Sequence, residues 1–195
     1  MSTSPLTVVS VNVARAESLP IDGRQVATAI RKRPVAGPVG VGPLGLQGDE
    51  QADLSVHGGL TKAVYAYPGA HYAFWHTVRR QAKVPGSDEP LPWGAMGENL
   101  TIEGLDESRL WIGDRLVLPH CVLAVSEPRM PCFKFAAAMG FAKAVKLMSQ
   151  SGWCGTYLAV IEPGQVSAGD TAQLVPGPRE VNLAELFRAR VRPGD

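Results

Sequence analysis

Glycine and proline set the first limit on this fold. They supply 21 and 16 of the 195 residues. Each ends or bends a regular element, so the chain has room for short strands joined by turns and little room for long helices. The densest stretch, Gly37 to Gly48, interleaves glycines with valines and leucines. Such backbone bends sharply and approaches its neighbours closely, as the corners of a small barrel require. Leu6 to Val13 is β-branched and partly alternating, which predicts a strand. Ile21-Asp22-Gly23-Arg24 predicts a turn, and Gln25 to Arg33 the returning strand, with Val26, Thr28, Ile30 and Lys32 on one face. Ala63 to Tyr67 and Tyr157 to Ile161 are further strands, the second followed by a turn at Pro163-Gly164. Leu110-Trp111-Ile112 and Leu116-Val117-Leu118 predict a hairpin of barrel strands about Gly113-Asp114, with a longer strand running through Val125. Gly169-Asp170 before Ala172 to Val175 repeats that pattern weakly. Helices are expected from Pro68 to about Arg80, from Phe133 to Gln150 with a break near Gly140, and from Val181 to Arg190. Val84 to Trp93, rich in proline, is expected as a loop. The fold class is therefore read as a mostly β barrel with peripheral α-helices.

The length suits one domain with a small additional element. A net charge of only +1 gives no bulk field to attract nucleic acid or an anionic membrane, so any cationic site has to be local. Arg31-Lys32-Arg33 is one candidate for it, although a short basic run is more often a solvated face than a site. No stretch approaches the ~20 apolar residues of a membrane-spanning helix. Cys121, Cys132 and Cys154 are odd in number and form no CxxC pair, which excludes a zinc ribbon and a disulfide framework. Such usage fits a reducing compartment. The expectation is a cytoplasmic protein without nucleic-acid or membrane partners.

Cys132 has the most distinctive surroundings. Pro128 and Pro131 precede it, and Arg129 and Lys134 flank it. The prolines stiffen the loop, and nearby cations favour a thiolate, which is both a nucleophile and a ligand for soft metals. The segment alone admits two readings, a functional thiol or a small buried core cysteine. Cys121, within a strand, and Cys154, beside Trp153, read as structural. Asp49, Glu50 and Asp53, with His57 nearby, form an acidic cluster whose spacing matches neither an EF-hand nor a zinc helix. His57-Gly58-Gly59 offers backbone amides to an anion, and Lys62 a point charge; a plain tight turn is the other reading. Glu98-Asn99 lies between Gly97 and an apolar run, and an Asn amide both donates and accepts. His71 and His76 read as surface or packing residues on the aromatic helix.

Gly48-Asp49-Glu50-Gln51-Ala52-Asp53, His57-Gly58-Gly59 with Lys62-Ala63-Val64-Tyr65, Gly97-Glu98-Asn99-Leu100 and the Cys132 segment, in this order, resemble the MOSC family, the molybdenum-cofactor sulfurase C-terminal domain, and within it the YiiM-like branch. The resemblance covers about residues 5 to 178. It implies a β-barrel over 1–178 and, in place of the branch's small helical domain, a short helical tail over 179–195. It implies a bound molybdenum cofactor (molybdopterin), with Cys132 as catalytic residue and protein ligand to the metal. Arg129, Lys62, His57, Gly58, Gly59, Asn99, Glu98 and Lys134 would bind the cofactor. The implied activity is reduction of a small N-hydroxylated compound from N–OH to N–H. A separate reductase would supply electrons, because no flavin, haem or iron–sulfur motif is present. Two alternatives stand beside it: a sulfur carrier using a Cys132 persulfide, and a non-enzymatic protein that binds or delivers the cofactor.

Overall fold

The computed structural model of the protein describes residues 5–52 and 58–191. In chain order the strands are β1 (Leu6–Val13), β2 (Glu17–Ile21), β3 (Arg24–Thr28), β4 (Arg33–Pro34), β5 (Val39–Gly42), β6 (Gly45–Leu46), β7 (Val64–Pro68), β8 (Leu100–Glu103), β9 (Arg115–Val117), β10 (Val122–Pro128), β11 (Thr156–Glu162), β12 (Gly164–Val166) and β13 (Thr171–Val175). The α-helices are α1 (Tyr72–Gln81), α2 (Phe133–Met139), α3 (Ala144–Ser151) and α4 (Leu183–Arg190). Hydrogen bonding runs β13-β9-β10-β11-β7-β8-β1 and returns to β13, closing a seven-stranded barrel. Within it, β7 and β8 are parallel and the other pairs antiparallel. Closure removes the exposed edges that strands this short would otherwise leave unpaired.

Two apolar cores divide the molecule. The barrel interior is aliphatic, with Val8, Val11, Val64, Leu100, Leu116, Leu123 and Leu158 fully buried. The second core is aromatic and sulfur-rich, with Tyr67, Trp75, Met96, Phe135, Met139, Met148 and Phe187 packing α1–α4 onto the outside of the barrel. Gly140 ends α2 in the left-handed conformation at φ 79°, which is why the alanine-rich stretch breaks there.

Several local expectations need correction. The strand expected from Gln25 to Arg33 ends at Thr28. Beyond it the backbone turns on local partners: Ile30 N–H donates to Thr28 Oγ1 at 3.3 Å and Lys32 N–H to the Ile30 carbonyl at 2.9 Å. Leu110-Trp111-Ile112 is not a barrel strand; only Trp111 forms a bridge, to Asn182. The buried Asp114 carboxylate captures the Trp111 N–H at 2.9 Å, so the hairpin is β9–β10. Pro163-Gly164 is not a turn, because Gly164 opens β12, which leaves the barrel to pair with β5.

Candidate functional site

Beside the barrel, one cavity gathers residues from six separate stretches of chain. Thr28, Lys32, Asp49, Gln51, Gly58, Lys62, Tyr65, Asn99, Arg129, Cys132, Lys134 and Tyr157 are among those lining it. Six of the sequence candidates therefore meet: Cys132, Arg129, Lys134, Lys62, Asn99 and Gly58. Gly59 is not in the lining, and its N–H already donates to Gln51 Oε1 at 3.1 Å. His57 and Asp53 lie outside the described residues.

The two sides of the cavity are built differently. On one side the buried Lys32 ammonium pairs with the Asp49 carboxylate. Asp49 also accepts from Ala14 N–H at 2.8 Å and from Asn99 Nδ2 at 2.8 Å. Asn99 in turn donates to the Asn12 carbonyl at 3.3 Å and accepts the Tyr65 N–H at 3.0 Å through Oδ1. Both amide hydrogens of Asn99 are thus committed within the protein. Burial holds the Lys32 pKa below the ordinary ammonium value, with Asp49 working against that shift.

Glu98 is not part of the lining. It is sealed beneath the cavity and accepts from the Tyr72 hydroxyl, from Thr101 Oγ1 at 2.7 Å, from Gly94 N–H at 2.9 Å and from Met96 N–H at 3.1 Å. Burial raises its pKa, although the Tyr72 and Thr101 hydroxyls favour the carboxylate. Gly97, at φ 83°, lets this segment turn tightly; a Cβ there would meet Ile30 at 2.9 Å.

The other side is cationic. Arg129 follows the end of β10, after a register shift between Val125 and Glu127 that re-aims the strand. The residue is only 4% exposed, and its guanidinium donates a hydrogen bond to the Tyr157 hydroxyl and lies 4.9 Å from the Phe135 ring centroid and 5.6 Å from that of Tyr65. Among the described residues no carboxylate lies within 4.0 Å of it. Burial opposes its charge, Tyr65 and the Cys132 thiol favour it, and the balance lies upward. Lys62 Nζ sits 3.9 Å from Glu127 and 5.9 Å from the Tyr157 ring centroid. Lys134 donates to the Ala27 carbonyl at 3.2 Å. Cys132 caps α2 and is partly exposed, its carbonyl accepting the Phe135 N–H at 2.9 Å.

The remaining cysteines differ from it. Cys121 is buried, with its thiol pushed up to about 11 by burial and by Asp170. Cys154 is pushed further up, chiefly by burial and then by Glu107. Neither lines the cavity.

The principal residues missed from sequence are Lys32, read as part of a solvated run, and the tyrosines Tyr65 and Tyr157. The available signal for Lys32 was its place on the face shared with Val26, Thr28 and Ile30. Asp49 and Glu50 serve the backbone rather than a metal cage: Glu50 accepts the Ala16 N–H at 2.7 Å. Among the described residues no group of three or more His, Cys, Asp or Glu is placed to hold a metal ion.

The model of the MOSC domain matches residues 53–173, which include the cavity's Gly58, Lys62, Asn99, Arg129 and Cys132. The chain belongs to the MOSC domain family. This MOSC chain is 39% identical over 175 residues to the uncharacterized protein YflK of Bacillus subtilis (strain 168), covering 90% of this chain and 76% of that one. It is 37% identical over 158 residues to protein YiiM of Escherichia coli (strain K12), covering 81% and 68%. A protein named reductase from Gibberella moniliformis is 35% identical over 173 residues, 86% of this chain and 30% of that longer one. The crystal structure of YiiM from Geobacillus stearothermophilus superposes with a TM-score of 0.73 at 33% identity, covering 94% of this chain and 82% of that one. These likenesses place the MOSC chain in the YiiM-like branch, whose wider family is associated with the molybdenum cofactor. Among the described residues no helix is long and apolar enough to cross a membrane.

Proposed function

We propose that this protein binds the molybdenum cofactor and reduces N-hydroxylated compounds, with Cys132 as the protein ligand to the metal. The observation that carries the reading is the convergence of Cys132 with Arg129, Lys62 and Lys134 on one cavity. Four lysines and arginines but only two carboxylates line it, in a chain whose net charge is +1. The donor set fits an anionic, phosphate-bearing cofactor with a soft metal. A buried guanidinium with no carboxylate at hand among the described residues suits a phosphate, and a partly exposed thiol suits molybdenum. The enclosed volume, about 100 Å³, admits a phosphate group, and a pterin would extend across the open mouth.

The bound cofactor would supply two-electron redox chemistry. The chain's own contribution is positional and electrostatic. Arg129, stiffened between Tyr65 and Phe135, would hold the anion through N–H donors that need no reorganisation. Lys62 would add a point charge whose direction Glu127 fixes. The Lys32–Asp49–Asn99 network would keep the opposite side rigid. The overall change takes two electrons and two protons, turning N–OH into N–H and water. A separate reductase is the proposed electron source, and the similarity to a longer protein named reductase supports that pairing.

The test is metal and pterin analysis of protein made in a molybdenum-replete host. Wild type should retain molybdenum near one per chain, and Cys132→Ser should lose the metal while keeping its fold. Equal molybdenum in the two proteins would refute Cys132 as ligand.

A further inference from the structure

Tyr157 touches both of the cations on which the proposed anion site depends. It lies on β11, where side chains alternate between two faces. Leu158 packs in the aliphatic barrel core, and Tyr157 packs on the outside, against the aromatic core. In register it stands opposite Glu127 of β10 and Tyr65 of β7. This row across three strands carries contacts to both cations. The Tyr157 hydroxyl accepts a hydrogen bond from the Arg129 guanidinium. Lys62 Nζ lies over the Tyr157 ring, 5.9 Å from its centroid. Tyr65 adds a ring centroid 5.6 Å from the guanidinium, and Glu127 a carboxylate 3.9 Å from Lys62 Nζ. The Tyr65 and Tyr157 rings brace each other at a centroid distance of 5.4 Å. Tyr157 is thus joined to Arg129 through its oxygen and to Lys62 through its ring face.

We propose that Tyr157 is a positioning residue of the anion site, setting the direction of the Arg129 guanidinium through its hydroxyl and the place of Lys62 through its ring. The inference rests on the reading of this cavity as the seat of a phosphate-bearing group. A guanidinium is planar and its N–H groups form a rigid fork, so one N–H fixed on an oxygen aims the others. The faces of Tyr65 and Phe135 attract the charge without fixing how the fork is turned. Met148 Sδ, 3.6 Å from Nη1, is a weak acceptor. The Tyr157 oxygen supplies the direction. A phenol is neutral near neutral pH, so it orients Arg129 without cancelling the charge that an anion needs, as a carboxylate in its place would. Pairing of β11 with both β10 and β7 gives the phenol a rigid base.

Calorimetric titration with inorganic phosphate tests this, with urea unfolding measured beside it. Tyr157→Phe keeps the ring and removes the oxygen, whereas Tyr157→Leu removes both. Tyr157→Phe should keep the fold and bind phosphate about fivefold more weakly, the size of one ordinary hydrogen bond. That loss should shrink to less than about twofold when Arg129→Met is already present. Tyr157→Leu should weaken binding by about two- to threefold more, the size of an exposed cation–π contact, and this extra step should vanish beside Lys62→Ala. A general loosening of β11 would instead lower affinity by the same factor in every background, so the double-mutant cycles separate positioning from packing. Unchanged or tighter phosphate binding by Tyr157→Phe, or a loss that persists in full beside Arg129→Met, would overturn the proposal. Should Tyr157→Leu fail to fold, the Tyr157→Phe cycle decides alone. No phosphate binding by the wild type, or an affinity untouched by Arg129→Met, defeats the anion-site reading and this inference with it. A strong loss in Arg129→Met with an independent, additive effect of Tyr157→Phe defeats this inference only.

Discussion

The two sides of the cationic cavity hold similar residue types and use them in opposite ways. Lys32, Asp49 and Asn99 spend their hydrogen-bonding capacity on one another and on the backbone of Ala14, Asn12 and Tyr65. Arg129, 4% exposed, is surrounded by rings and a thioether, with one hydrogen bond to the Tyr157 hydroxyl, Met148 Sδ 3.6 Å from Nη1 and no carboxylate within 4.0 Å among the described residues. A buried charge whose needs are met inside the protein fixes shape. A buried charge held mainly by π faces keeps donor capacity for a ligand. The difference teaches that burial alone does not mark a binding residue; what counts is how much of its polar capacity the fold has already used.

The largest expected effect comes from breaking the self-satisfied side. Asp49→Ala strands the Lys32 ammonium in a buried site and should cost about 3–5 kcal/mol of stability by urea unfolding. Replacing both partners, as Lys32→Met with Asp49→Leu, should recover most of that loss. A single Asp49→Ala change costing under ~1 kcal/mol would place the pair among weak surface bridges and erase the contrast.

Alkaline pH sharpens it next. Tyr65 and Tyr157 line the cavity, Tyr67 and Tyr72 lie behind it, and burial raises all four phenols above the ordinary value. Between the unfolded and folded pKa the unfolded chain has lost protons that the folded one keeps, so stability falls as pH rises. The Cys121 thiol, held at about 11, acts in the same direction once pH passes about 9. Lys32 acts oppositely: its folded pKa is lowered, so rising pH relieves its buried charge. The phenols outnumber it, and each contributes ~1.4 kcal/mol per pH unit above about 10. Chemical denaturation at pH 8, 9, 10 and 11 should show a steepening loss; a flat profile would mean that water reaches these rings.

On the cationic side the consequences should fall on ligand binding rather than on folding. Arg129→Met replaces a guanidinium by an apolar chain of similar length among rings, so its stability should change by less than ~1.5 kcal/mol. Inorganic phosphate affinity should fall tenfold or more, since a charge-assisted hydrogen bond contributes about 1.5–3 kcal/mol. Calorimetric titration beside unfolding separates the two, and unaltered phosphate binding would put the anion elsewhere.

The smallest effect is expected at Lys62. It is partly exposed and shared with Glu127 at 3.9 Å, so Lys62→Ala should shift stability by under ~1 kcal/mol. Its signature is salt dependence. Raising salt screens exposed charges over ~8–10 Å, and the variant should show a shallower decline of phosphate affinity with salt than wild type. Parallel declines in the two proteins would remove Lys62 from the anion site.

The barrel was legible in the sequence because its signals are local. β-branched runs bounded by glycine and proline announce β1, β7 and β11, and Gly140 breaks the alanine-rich stretch at the position its left-handed conformation requires. The stiff loop around Cys132 was equally readable, since Pro131 and the flanking cations are sequence neighbours. What the sequence could not supply was pairing at a distance. Leu110-Trp111-Ile112 has the pattern of a strand, yet the Asp114 carboxylate claims the Trp111 N–H. Arg31-Lys32-Arg33 looks like one solvated run, yet the tight turn after Thr28 drives Lys32 inward onto Asp49 while its neighbours stay exposed. Asn99 has the chemistry of a ligand contact, but residues 87 and 50 positions away absorb its amide hydrogens. Residue type and local spacing determined which groups are capable of chemistry. Tertiary structure decided which of them keep capacity to spare, because hydrogen bonds and desolvation depend on neighbours that only closure of the barrel brings together.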